Sequence, residues 1–170
     1  TGKTSITKIL LQYLKMRRIR TGLTATTHKA KVVLGKATEA KTDTLHKLLG
    51  LRPSPKPLEE LDLSELNFLR TGAKEADTND IIIIDEASFI SDELFDFITA
   101  ELKNKKDLKV IFIGDPAQIK PVKQTTTSKV FTDLTNSVEL KTVERQAEDN
   151  PLGPILDAIR NNIKSPKRAF

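Results

Sequence analysis

The 170-residue sequence contains no cysteine. That excludes a disulfide framework, a thiolate zinc site and a cysteine nucleophile, and it leaves nothing to argue for export. Long apolar runs are lacking too. The longest, around Ile81–Ile84 and Val110–Ile113, fall far short of the ~20 residues that a membrane-spanning helix requires. No signal peptide opens the chain, so a soluble cytoplasmic protein with no membrane partner is the expectation. Acidic residues are outnumbered, 23 Asp and Glu against 28 Lys and Arg, for a net charge of +5. The excess suits a polyanionic partner such as nucleic acid without deciding for one. What is present has globular composition, 38% hydrophobic and 30% charged, in a length typical of one domain.

The apolar spacing alternates between helical and strand signals. Ile6, Ile9, Leu10 and Leu14 recur at three- and four-residue steps, which predicts one face of a helix that starts at Lys3 and ends in the solvated basic stretch Lys15–Arg20. Arg18–Ala25 reads as a short strand, Lys29–Thr38 as a helix, Thr42–Thr44 as a short strand, and Leu45–Leu49 as a helix stopped by Gly50. Residues 52–79 differ in kind. Pro53, Pro55 and Pro57 precede the acidic run Glu59, Glu60 and Asp62 without a sustained period, which predicts an inserted subdomain. Ile81–Ile84 is a continuous β-branched run, the signature of a strand buried on both faces of a parallel sheet. Ser91 as N-cap introduces a helix with Leu94, Phe95, Ile98 and Leu102 on one face. Lys109–Ile113 repeats the buried-strand pattern, Val138–Leu140 reads as a final strand, and Leu152, Ile155, Leu156, Ile159 and Ile163 as a last amphipathic helix. Strands alternating with helices predict an α/β layer fold.

Three clusters could carry chemistry. Gly2-Lys3-Thr4 at a helix start has the form of the end of a phosphate-binding loop, although a polar helix start reads the same in isolation. Asp85-Glu86 follows an apolar strand, where open α/β sheets bind ligands. One carboxylate can hold Mg²⁺ while its neighbour takes a proton from water; a solvated turn is the plainer alternative. Gly114-Asp115-Pro116-Ala117-Gln118 also follows a buried strand, and the Gln118 amide could reach a γ-phosphate or an attacking water. Convergence of all three on one sheet edge is the stronger signal.

In order and wording these motifs resemble the first RecA-like motor domain of superfamily 1 DNA helicases of the RecD/Dda-like (5′-3′) branch. Thr1-Gly2-Lys3-Thr4 resembles the end of the nucleotide-binding loop, Ala25-Thr26-Thr27-His28-Lys29-Ala30 motif Ia, and Thr44-Leu45-His46 motif Ib. Ile84-Asp85-Glu86-Ala87-Ser88 resembles motif II, Gly114–Val122 motif III, and Leu140–Arg145 with Asn150-Pro151 motif IV. The resemblance implies a P-loop NTPase fold, a parallel sheet flanked by helices, over residues 1–51 and 80–170, with 52–79 as the inserted subdomain. It implies ATP and Mg²⁺ as cofactors. Thr1, Gly2, Lys3, Thr4, Asp85, Gln118 and Arg145 would bind nucleotide, Thr4 and Asp85 would hold the metal, and Lys3, Glu86, Gln118 and Arg145 would act in hydrolysis. Thr26, His28, Lys29, Thr44 and His46 would line a track for single-stranded DNA, and Phe68 is the candidate wedge at a duplex.

Lys120 stands where that branch has the first proline of the motif III pair. The strand and glycines that precede such a loop would lie before Thr1, and a second motor domain would follow, so the chain is expected to be truncated at both ends and poorly active alone. Two other readings compete: a PhoH-like P-loop ATPase, and a non-catalytic helicase remnant that binds nucleic acid.

Overall fold

The computed structural model describes residues 2–52, 56, 60–69, 78–103, 107–118, 126–134, 136–140 and 158. Four strands form one parallel sheet: β1 (Thr21–Ala25), β2 (Thr42–Thr44), β3 (Ile81–Asp85) and β4 (Lys109–Phe112), in the order β2-β1-β3-β4. Residue by residue, Ala25 lies opposite Thr44 on one side and Asp85 on the other, and Ile84 lies opposite Phe112. The carboxyl ends of all four strands therefore reach one edge.

The β-branched run of β3 is enclosed from both faces, with Ile82, Ile83 and Ile84 all at 0% exposure. Ile82 and Ile84 pack with α3 (Leu45–Leu49), α4 (Leu63–Phe68) and α5 (Asp92–Lys103), whose buried residues include Leu48, Leu66, Leu94 and Ile98. Ile83 packs on the other face with Leu14 of α1 (Lys3–Met16) and Leu34 of α2 (His28–Thr38). Helices thus cover both faces of a parallel sheet, as the alternating pattern predicts. Leu61 and Leu66, within the stretch 52–79, sit in the same core as β3.

The caps follow the sequence signals. Thr27 accepts from the Ala30 amide to start α2, Thr44 from the Lys47 amide to start α3, and Ser91 from the Leu94 amide to start α5. Gly50 ends α3 in the left-handed region at φ 66°, with the Leu51 amide reaching back to the His46 carbonyl. A short α6 (Lys129–Thr132) docks on α5 through Asp92, which accepts from the Lys129 amide, and Asp96, which pairs with the Lys129 ammonium.

Three expectations are corrected. β1 begins at Thr21 and not at Arg18, because α1 closes with the Arg18 amide on the Lys15 carbonyl and the Ile19 amide on the Leu14 carbonyl. That closure places Arg18 at φ 56° and delays the strand. The packed face of α1 is Thr7, Leu10, Leu11 and Leu14, whereas Ile6 and Ile9 are 45% and 64% exposed. Residues 138–140 form no strand and Val138 is 93% exposed; a short apolar alternation without a partner edge has nothing to pair with. The helix expected over 152–163 lies, apart from residue 158, outside the described residues.

Ile83→Ala opens a void between two helical layers and is expected to cost about 2–5 kcal/mol in urea unfolding. Arg20→Ala, at the exposed ion pair with Asp80, is expected to leave the curve almost unmoved.

Candidate functional site

The first residues of α1 present backbone, not side chains, at the carboxyl edge of the sheet. Gly2 takes φ 48°, the helix has no side-chain cap, and its first turn holds no acidic residue. Uncapped amides at the start of a 14-residue helix, with the macrodipole's partial positive charge behind them, make an anion site. Lys3 and Thr4 stand at that terminus.

Asp85 ends β3 beside it. Burial pushes its carboxyl up from the ordinary carboxylate range, against the downward pull of the Glu86 amide and of the Lys3 charge. The influence of Lys3 on Asp85 places the helix start and the strand end within electrostatic reach of each other, although they are 82 positions apart in the chain. Glu86 leaves the strand at φ 56°, a left-handed conformation that costs a non-glycine residue about 1–3 kcal/mol. Its Oε2 is buried and accepts no hydrogen bond among the described residues. Two adjacent carboxylates are therefore held differently, one half-buried within the electrostatic reach of a cation and one on a strained turn with an unengaged oxygen.

The loop after β4 is latched to this turn. The Ile113 amide donates to the Ile84 carbonyl at 2.8 Å, and the Ala87 amide donates to the Ile113 carbonyl at 2.9 Å. Gly114 has no room for a side chain, since a Cβ there would lie 3.0 Å from the Ser88 amide nitrogen and 2.8 Å from the Phe131 ring. Asp115 turns the chain by accepting from the Ala117 amide. The Ser88 hydroxyl then donates to Gln118 Oε1 at 3.0 Å, which leaves the Gln118 amide N–H groups directed elsewhere. In the sequence, Ser88 and Gly114 stand inside motifs whose chemistry falls on other residues. The signal for Ser88 was its place three residues after Asp85; what it touches depends on a loop thirty residues away.

The loops after β1 and β2 flank the same edge. His28 and Lys29 are exposed at the start of α2, and Thr44 is engaged as the cap of α3. His46 is partly buried; burial first, and the charge of His28 second, pull its pKa down, and its Nε2 has no partner among the described residues. Thr26 is buried, and its hydroxyl oxygen is likewise shielded and unpaired. Thr1, Arg145, the motif III residues from Ile119 onward and the side chain of Phe68 lie outside the described residues.

The family described as an AAA domain matches residues 1–167. The chain belongs to that family. Within it, the chain is 28% identical over 152 residues to the ATP-dependent RecD2 DNA helicase of Deinococcus radiodurans, covering 89% of this chain and 19% of that protein. It is 33% identical over 127 residues to the ATP-dependent DNA helicase dda of Enterobacteria phage T4, covering 72% of this chain and 26% of the relative. The fold resembles the crystal structure of Pif1 helicase from Candida albicans, with a TM-score of 0.54 and 22% identity over 75% of this chain and 30% of that one. The chain spans about a quarter or less of the curated helicases cited.

A carboxyl whose pKa is raised by folding binds its proton more readily folded than unfolded. It therefore subtracts stability as pH rises above the ordinary carboxylate range, and the full loss is present above the raised value. Asp85→Asn removes that penalty. In the absence of nucleotide and metal, thermal melting at pH 7 is expected to rise by about 2–4 °C for each kcal/mol relieved. The gain should vanish as pH falls to where Asp85 is protonated in both states.

Proposed function

We propose that this chain is the ATP-hydrolysing first motor domain of a DNA helicase that moves along single-stranded DNA from 5′ to 3′. The observation that carries the reading is the uncapped start of α1 at Gly2-Lys3, whose charge is felt at Asp85 where β3 ends. The donor set suits a magnesium nucleotide. Mg²⁺ is usually held by one or two protein oxygens together with phosphates and water, not by a cage of side chains. Thr4 and Asp85 supply such oxygens, and the α1 amides with Lys3 supply the phosphate contacts.

In that reading Glu86 takes the proton of a water as its oxygen attacks the γ-phosphorus. The bond from that phosphorus to the bridging oxygen breaks, and ADP leaves with the electron pair. Gln118, aimed by Ser88, donates to the γ-phosphate or to the attacking water, and Arg145 neutralises charge there through its planar fork. His28, Lys29, Thr44 and His46 supply contacts along the DNA backbone, and Thr26 does so through its peptide group, since its hydroxyl is shielded. Residues 52–79 form the inserted subdomain that meets the duplex, anchored by Leu61 and Leu66. A second motor domain of the same protein completes the nucleotide site from the opposite side, consistent with the greater length of the helicase relatives.

ATP hydrolysis by the intact protein, with and without oligo-dT, tests this. DNA is expected to raise the rate several-fold, and Glu86→Gln to lower kcat by about 10²–10⁴. Hydrolysis indifferent to DNA would favour the PhoH-like reading. Absence of hydrolysis with Mg-ATP bound would favour the non-catalytic one.

A further inference from the structure

Gly114 is the pivot between β4 and the loop that carries Gln118. On its amino side Ile113 is fixed from both directions, its amide donating to the Ile84 carbonyl and its carbonyl accepting from the Ala87 amide. On its carboxyl side Asp115–Gln118 form a closed turn. The Asp115 carboxylate accepts from the Ala117 amide, and the Asp115 carbonyl from the Gln118 amide, both at 3.0 Å. A turn closed in this way moves as a unit, and Gln118 moves with it. Glycine is free to take backbone angles that other residues avoid, so Gly114 by itself does not hold that unit in place.

A ring from another element closes on the pivot. A Cβ on Gly114 would lie 2.8 Å from Cζ of Phe131, 3.0 Å from the Ser88 amide nitrogen and 3.3 Å from that of Ala87. The tip of the ring and the backbone of the turn after Asp85 therefore meet at one point of Gly114. Phe131 packs against the core formed by β3 and α5, and its helix, α6, is tied to α5. The Lys129 amide donates to Asp92 at 3.0 Å, the Lys129 ammonium to Asp96 at 2.7 Å, and Val130 is buried. Asp92 opens α5, the helix into which the turn after Asp85 leads. The turn of Glu86 and the loop of Gln118 are thus joined twice: directly by Ser88, and through α5 and α6 by Phe131.

We propose that Phe131 is a positioning residue for Gln118: its ring blocks the pivot at Gly114 and keeps the Asp115–Gln118 turn where the Ser88 hydroxyl holds Gln118 Oε1. One hydrogen bond to a swinging turn leaves the amide a range of positions. With the pivot blocked, the 3.0 Å contact with Ser88 selects one of them. The Gln118 N–H groups then stand ready for the γ-phosphate or the attacking water without reorganisation at the moment of reaction. This rests on the ATPase reading above, and it adds a residue from outside the sequence motifs that acts through Gln118 and not on the nucleotide.

The test uses the intact protein with saturating oligo-dT and two substitutions, each made in the wild type and in Gln118→Ala. Phe131→Leu keeps an apolar side chain in the core but lacks the ring tip, and Phe131→Tyr keeps the ring but adds an oxygen at Cζ, where Gly114 leaves no room. Each is expected to lower kcat on the order of tenfold, while KM for ATP and Kd for oligo-dT stay within about twofold of wild type. In the Gln118→Ala background the same substitutions are expected to change kcat by less than about twofold, since the group they position is gone. Should Phe131→Leu melt too early to assay, Phe131→Tyr carries the comparison. Wild-type kcat in both variants, with only the melting temperature lowered, would make Phe131 a core residue and overturn the proposal. An equal loss with and without Gln118 would overturn it too, because the effect would then reach the reaction by another route. A wild-type protein without hydrolysis, or Gln118→Ala at the wild-type rate, would instead count against the ATPase reading and its role for Gln118, outcomes distinct from these.

Discussion

The burial of β3 between parallel neighbours and two helical layers, with Ile82, Ile83 and Ile84 fully enclosed, is the constraint on which the rest of this structure depends, and it leaves Asp85 half withdrawn from water at the strand's end. Neither Asp85 nor Lys3 can be placed by local structure alone. Asp85 is where it is because β3 is enclosed by parallel neighbours and by helices on both faces, so its polar end is the first place where the strand can meet a charge. Lys3 comes within electrostatic reach of Asp85 because α1 packs Leu10, Leu11 and Leu14 on the face of Ile83. Burial of the Asp85 carboxyl, only partly offset by Lys3 and the Glu86 amide, is the kind of perturbation found where side chains are held for a ligand.

The turn after Asp85 is fixed from a distance. Hydrogen bonds from Ala87 to Ile113 and from Ser88 to Gln118, together with the close approach at Gly114, tie the ends of β3 and β4 into one unit. Strain at Glu86 is tolerated because that unit determines its backbone. A shift in the loop carrying Gln118 would therefore be felt at Glu86 through backbone contacts. In the proposed ATPase reading, that link joins the loop that senses phosphate to the turn that activates water.

Much of this was legible in the residues. The four-isoleucine run, the Lys109–Ile113 run, the Ser91 cap and the Gly50 stop each have a local physical cause, and each stands where expected. The order of the polar clusters after those strands was enough to point to one edge. Less legible was anything set by packing against distant residues. Periodicity put Ile6 and Ile9 on the same stripe as Leu10 and Leu14, yet the helix turns Thr7 and Leu11 inward and leaves both isoleucines, with Tyr13 and Met16, on the outside. The late start of β1 depends on how α1 closes, and the shielding of Thr26 depends on strand register. Arg145 and the later motif III residues rest on their motifs alone.

The account stands on nucleotide binding at the start of α1, beside the end of β3. Titration of a fluorescent ATP analogue with Mg²⁺ against the intact wild-type protein and Lys3→Ala addresses it most directly. Loss of a charge-assisted phosphate contact should weaken binding by roughly 10- to 100-fold without lowering the melting temperature. Wild-type affinity in Lys3→Ala would place the nucleotide elsewhere and contradict the account.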